Sequence, residues 1–403
     1  MAMSTVLTPI PGHVPEALVF DFDLYNPPGA ATDYHGAFAR LHDNGIPDIF
    51  WTPRNGGHWI ATRGTHITEI FQDHSRFSSR MKSVPKEHNP KDPLRPITLD
   101  PPEHGKYRAL IQPFFTVPAI RRLEPIIRNL AINLIDGLKP NGQCEFVADF
   151  AQHLPIGIFM GMVNLPESDR LPLLNLVDEI INPGERSKQE IFASLNEYVG
   201  EKVRSRRGGT GTDLITHVAN SVIDGELISY TDAVSVCSLV LIGGLDTVAS
   251  TLGFIAHFLA THPTHRQELA AKPQLIDAAI NEFLRRFAVT NPGRVVTRDI
   301  DYHGVNMRAG DMVMLPTFLH GLDEREFDDP LSVKFDRAPK VNAAFGRGDH
   351  TCPGLTLAKL EIRVFLEEWL ARIPIFSLKA GSDVGIRAGI NGSFYRLSLA
   401  WPS

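Results

Sequence analysis

The stretch AAFGRGDHTCPGLTLAKLEI, residues 343–362, decides how the rest of the chain is read. It sets Cys352, one of three cysteines with Cys144 and Cys237, between Gly348 and Gly354. Phe345 lies upstream, and downstream Leu355 to Arg372 carries apolar residues at three- and four-residue intervals, which predicts a helix opening beside the sulfur. A free thiol ionises near about 8.5, and backbone amides at a helix N-terminus favour the thiolate. Gly346, Gly348 and Gly354 allow tight turns and the close approach of a flat, bulky ligand, while Phe345 can shield the sulfur from water. A partly buried structural thiol is the plainer reading of the same residues. A zinc site lacks a second nearby cysteine, and His350 completes no zinc spacing. A nucleophilic cysteine needs a paired base, for which His350 is the local candidate.

Around this loop the chain has 403 residues, 43% of them hydrophobic, enough to bury a large core. A net charge of −6 points away from nucleic acid and anionic membranes as partners. Three scattered cysteines make no disulfide framework and fit reduced thiols in a cytoplasmic protein. The first residues, MAMSTVLTPIPGHVPEALVFDFD, show no secretory pattern, and no run of 18 uninterrupted apolar residues suggests a membrane span. No repeat or linker divides the chain. Residues 46–70 read as a small sheet around an Asn55-Gly56 turn, and residues 294–316 as two more short strands. Helical periodicity covers Arg121 to Leu138, Lys188 to Arg206, Thr231 to Thr261, Gln274 to Phe287 and Leu355 to Arg372. The expected fold is mainly α with a small β region, as one domain over residues 1–403.

Two further motifs ask for a reason. In Leu241-Ile-Gly-Gly-Leu-Asp-Thr247, Gly243 and Gly244 interrupt a long apolar helix at a cost of about 1 kcal/mol each against alanine. Asp246 and Thr247 then place an acid and an alcohol in an apolar wall. Either this is a packing notch with a solvated acid, or Thr247 bonds back to the Gly243 carbonyl and opens the helix into a pocket. In Glu282-Phe-Leu-Arg285, the spacing of three allows an ion pair on one helix face, commonly a surface feature.

Phe345-Gly346-x-Gly348-x-His350-x-Cys352-x-Gly354 resembles the haem-binding signature of the cytochromes P-450, the haem-thiolate monooxygenases, at every fixed position. The resemblance implies haem b with Cys352 as the proximal thiolate ligand of iron, a ligand that favours O–O cleavage. Pro353, lacking an N–H, should leave the thiolate fewer hydrogen bonds and more electron-rich. By the same resemblance, Asp246 and Thr247 relay the protons that O₂ reduction consumes, beside Gly243. Glu282 and Arg285 clamp the proximal side, and Arg108, Arg294 and His350 hold the two propionates. The stretches HVPEALVFDFDLYNP, GGHWIATRG, LDPPE, IGGLDTVAS, FLRRF, HGLDERE and LARIPIFSL are similar to the camphor-hydroxylating bacterial subfamily over essentially the whole chain. That implies a triangular prism of helices, with electrons from NADH through a flavin reductase and a two-iron ferredoxin.

Departures fall where substrate should sit. The loop HNPKDPLRPIT has no tyrosine, and Asp92 stands where that subfamily holds the camphor ketone. Ser83 replaces a phenylalanine and Asn391 a small apolar residue. Losing a hydroxyl donor alters selectivity more than one methylene does, so a terpenoid or norisoprenoid such as an ionone is expected in place of camphor. Ile97, Leu239, Ile242, Gly243, Thr290 and Ile390 complete the pocket by alignment. Lys106, Arg108, Lys340 and Arg347 form a basic face for an acidic ferredoxin. A peroxide-using haem-thiolate enzyme and a non-enzymatic haem sensor are the competing classes; neither needs the acid–alcohol pair.

Overall fold

The computed structural model describes residues 7–89, 92–181 and 186–402. The N-terminal residues 1–6 and residues 90 and 91 of the loop before Leu99 lie outside this set.

The centre of the molecule is the helix Tyr230–Thr261. Ser229 caps it by accepting from the Asp232 amide, and Asp232 adds negative charge to the first turn. Its two ends are buried through Ala233, Val236, Cys237, Leu252, Ile255, Ala256 and Leu259. By length and composition it could cross a membrane, yet 59% of its most apolar window is buried inside the protein, so a core helix accounts for its hydropathy.

The helix Leu355–Arg372 runs directly out of the cysteine loop and packs on the central helix and on Val117–Leu138. Phe365 and Trp369 anchor it. Trp369 meets Phe146 and Phe150 edge-on, each at 5.2 Å between ring centres, geometry worth about 0.5–1.5 kcal/mol per pair beyond area burial. Ile120, Ile127, Ala131 and Ile135 present the matching stripe on Val117–Leu138.

Lys188–Arg206 and Leu355–Arg372 begin and end where the periodicity places them. The predicted Gln274–Phe287 helix is Ile276–Arg286, preceded by a 3₁₀ turn at Pro273–Leu275. The β region differs more. Ile49–Thr52 and His58–Ala61 do pair antiparallel across the expected turn, where Asn55 and Gly56 adopt positive φ of 52° and 85°. Residues after Arg63 leave the sheet and form the helix Gly64–Gln72, because Ile67, Ile70 and Phe71 share one buried helical face. Residues 293–314 give four short strands instead of two, broken at His303-Gly304 (φ 52° and 81°). The main sheet runs Ile49–Thr52, His58–Ala61, Met312–Met314, Gly293–Val296, Phe77–Ser78.

Candidate active site

The cysteine loop is built by glycine. Gly346 and Gly348 take φ of +68° and +69°, and a Cβ on Gly348 would press at 3.1 Å on the Phe71 carbonyl. The Cys352 amide donates to the Phe345 carbonyl at 2.9 Å, closing the loop on itself. Burial pushes the Cys352 thiol above its usual range. Amides of Gly354 and Leu355 and the charge of Arg108 act against that burial. The thiol alone is therefore not the spontaneously ionised group that helix-end arguments predict: desolvation outweighs the amides. Bound iron would deprotonate it outright. Despite Pro353, two amides still reach the sulfur.

On the central helix, Gly243 and Gly244 are exposed although they lie mid-helix in the heart of the molecule, and a Cβ on either would meet nothing within 4 Å. Thr247 Oγ1 donates to the Gly243 carbonyl at 3.1 Å. The helix is nevertheless continuous from Tyr230 to Thr261. Open space here comes from absent side chains, not from the unwound turn expected from the sequence. Asp246 is half-buried. Its Oδ2 accepts from Asn391 Nδ2 at 2.7 Å.

A group of cationic and imidazole side chains gathers beside the loop. Arg294 is 5% exposed, and among the described residues its guanidinium donates only to the Gly293 carbonyl; burial draws it down to about 10. Arg108 is also lowered by burial and donates to the Thr351 carbonyl at 2.7 Å. His350 is pulled to about 3, by burial first and then by Arg294, His104 and Arg108, so it is neutral. Its Nε2 is buried without a partner among the described residues. His104, absent from the sequence reading, lies tilted against His350 at 47°, with 4.2 Å between ring centres. The signal was available: His104 and Arg108 are spaced four apart on Glu103–Ile111.

These donors suit carboxylates. A guanidinium and an imidazole nitrogen, both buried and without a carboxylate partner among the described residues, match haem propionates, and the open face at Gly243 and Gly244 suits a flat macrocycle. The residues present therefore fit haem.

Glu282 and Arg285 form a bidentate pair, 2.8 Å at both contacts, with side chains 3% and 2% exposed. Arg337 joins through two 3.1 Å contacts to Glu282. Burial alone would raise the Glu282 carboxyl, but hydrogen bonds from Arg285, Arg337 and the Lys334 amide hold it below the usual range. This is a buried cluster, not a surface pair. Arg337 carried no periodic signal because it lies in irregular chain.

The substrate nominees divide. Leu239, Ile242 and Gly243 share one helix face by their three-four spacing, and Ile97, Thr290 and Ile390 are half-buried. Thr290 Oγ1 and Thr317 Oγ1 lie 3.0 Å apart. Ser83 is buried, with Asn89 bonded to its backbone. Asp92 is exposed, where a carboxylate keeps its hydration. Asn391 has its amide committed to Asp246. The predicted basic face is partly neutralised: Lys106 pairs with Glu103 and Asp224, and Lys340 with Glu326. Arg108 is turned to the Thr351 carbonyl.

The fold and the cysteine loop together define a haem-thiolate oxygenase. The family model for cytochrome P-450 matches residues 156–386. Over 402 residues the chain is 34% identical to the "Probable cytochrome P-450 127A1" of Sinorhizobium fredii, covering 98% of this chain and 97% of that one. It is 32% identical over 300 residues to a steroid C26-monooxygenase of Mycolicibacterium smegmatis, covering 72% and 75%. Among solved structures it superimposes on CYP101J2 with a TM-score of 0.90 and 37% identity, covering 98% and 100%. The chain belongs to the cytochrome P-450 family, and its structural likeness lies with the camphor-hydroxylase-like bacterial branch.

Proposed function

We propose that this monooxygenase hydroxylates a small terpenoid or norisoprenoid, with electrons passing from NADH through a flavin reductase and a two-iron ferredoxin. Cys352 would ligate haem b, with Arg108, Arg294 and His350, joined by His104, on its propionates. When bound, haem supplies the redox chemistry that activates O₂ and inserts one oxygen atom into a C–H bond.

The chain's own residues do the rest. Leu239, Ile242 and Ile390 offer apolar surface that holds a hydrocarbon and excludes water. Thr247, fixed on the Gly243 carbonyl, and Asp246 beside it hold and pass protons toward the open face. Glu282, Arg285 and Arg337 fix the chain leading to the cysteine loop. The observation that carries the reading is the acid–alcohol pair beside two glycines with open space, in the middle of an otherwise buried helix. A peroxide-using enzyme or a haem sensor has no use for that pair.

The reduced protein with CO should absorb at the family's diagnostic Soret position, and product formation should require NADH, reductase and ferredoxin together. Thr247→Ala should divert NADH to peroxide. Fully coupled turnover in that variant would remove the relay from the mechanism. A terpenoid panel, scored by the substrate-induced spin-state shift, identifies the substrate class.

A further inference from the structure

We propose that Asn391 is a positioning residue that holds the Asp246 carboxylate between the Thr247 turn and a water-sized cavity on the flank of the central helix. The proposal rests on reading Asp246 and Thr247 as the proton relay. Asn391 was expected to face substrate, in place of a small apolar residue. Instead its Nδ2 donates to Asp246 Oδ2 at 2.7 Å, a short, charge-assisted bond. Among the described residues the other side-chain partner of Asp246 is Ser250 Oγ, at 3.5 Å from Oδ1. That distance is at the outer edge of a hydrogen bond, so the amide is the firm contact.

The backbone at Asn391 is pinned on both sides. The Asn291 amide donates to the Ile390 carbonyl at 2.7 Å, and the Gly392 amide to the Val289 carbonyl at 2.8 Å. Thr290 and Asn391 themselves form an antiparallel bridge. Gly392 sits so close to the Tyr34 ring that a Cβ would fall 2.3 Å from it. The amide is therefore presented from a fixed platform.

Asp246 also lines a cavity of about 70 Å³ with Gln152, Ser250, Arg387, Ser393 and Tyr395. That is room enough for water, and Tyr395 in its lining is 50% exposed. Protons from solvent thus have a short polar path to the carboxylate. The Asn391 amide fixes the Asp246 rotamer without adding a charge of its own.

Asn391→Leu removes the donor at similar size, Asn391→Asp sets two acids together, and Asn391→His restores an N–H. The first readout needs no turnover. In the ferric, substrate-free protein with carbon-13-labelled aspartate, the carboxylate stretch that disappears in Asp246→Asn should shift in Asn391→Leu and return toward wild type in Asn391→His. The second uses NADH, reductase and ferredoxin with an ionone as probe. The solvent isotope effect on NADH oxidation should rise at least twofold in Asn391→Leu, with a larger peroxide share, and more in Asn391→Asp. An unmoved band overturns the proposal. So does a moved band with an unchanged isotope effect, which leaves only a structural contact. If Asn391→Leu does not fold, the Asp and His variants decide by the same two readouts. Failure of the underlying relay reading looks different: Asp246→Asn and Thr247→Ala would themselves turn over with wild-type coupling and isotope effect.

Discussion

Glu361, on the Leu355–Arg372 helix, is 2% exposed, and its Oε2 has no hydrogen-bond partner among the described residues. Burial alone raises its carboxyl from 4.5 to about 8. The folded state therefore keeps the proton over a pH range in which the unfolded chain has lost it, and stability falls as pH rises through that window. Between pH 5 and pH 8, at about 1.4 kcal/mol per pH unit, the loss approaches roughly 3–4 kcal/mol. That is a large part of a stability of about 5–15 kcal/mol. Glu361→Gln keeps the shape and cannot ionise, so it should behave like the protonated acid. Its gain over wild type should be under about 1 kcal/mol at pH 5 and grow to roughly 4 kcal/mol at pH 8. Urea unfolding followed by far-ultraviolet circular dichroism at several pH values, at fixed ionic strength and haem content, measures this directly. A difference that stays flat from pH 5 to pH 8 would refute the argument, because it would mean that Glu361 ionises alike in both states.

Arg294→Leu removes a buried cation proposed to meet a haem propionate. It should speed haem loss to an apo-globin acceptor by about 10- to 150-fold, the range for a charge-assisted hydrogen bond of about 1.5–3 kcal/mol; an unchanged rate would detach Arg294 from the cofactor. Cys352→Ser should abolish the thiolate-type CO spectrum even where haem is retained, and an untouched spectrum would end the haem-thiolate reading. For ferredoxin docking, Arg347→Glu should raise the apparent KM for ferredoxin more than Lys106→Glu, because Lys106 is already matched by Glu103 and Asp224. Equal effects would locate docking elsewhere.

The long helices were legible because each buries one stripe of a periodic pattern, and the cysteine loop because glycines there are fixed by backbone geometry. Gly348, for example, has no room for a side chain beside Phe71. Legibility stopped where a residue's role depends on a partner far along the chain. Asn391 meets Asp246 across 145 positions, so alignment assigned it to substrate. The sign of the Cys352 shift was missed for a related reason: the helix-end amides are visible in sequence, but the burial that outweighs them is a tertiary property. Residues 64–70 were read as strand because β-branched threonine and isoleucine suit either structure. Only packing of Ile67, Ile70 and Phe71 on one face decides for helix.

The Glu282 cluster explains how an irregular segment can still present the cysteine loop in one position. Arg285 donates to the carbonyls of Pro330 and Ser332 at 2.7 and 2.9 Å, and also to that of Gly321. Arg337 reaches the carbonyls of Asp328 and Asp329 at 2.6 and 3.1 Å. Buried carbonyls in such a segment lack ladder partners and must be satisfied by side chains; the guanidinium forks, with five donors each, supply them. Both forks are oriented by one carboxylate. Glu282→Gln therefore does more than neutralise a charge: it leaves two guanidiniums in low-dielectric surroundings without their counter-ion, at a cost of about 3–5 kcal/mol. The segment from Gly321 to Arg337 should loosen first. Hydrogen exchange in Glu282→Gln should quicken at the amides of Lys334 and its neighbours before it does in the central helix. Uniform acceleration across both would mean that the carboxylate supports global stability and not this segment.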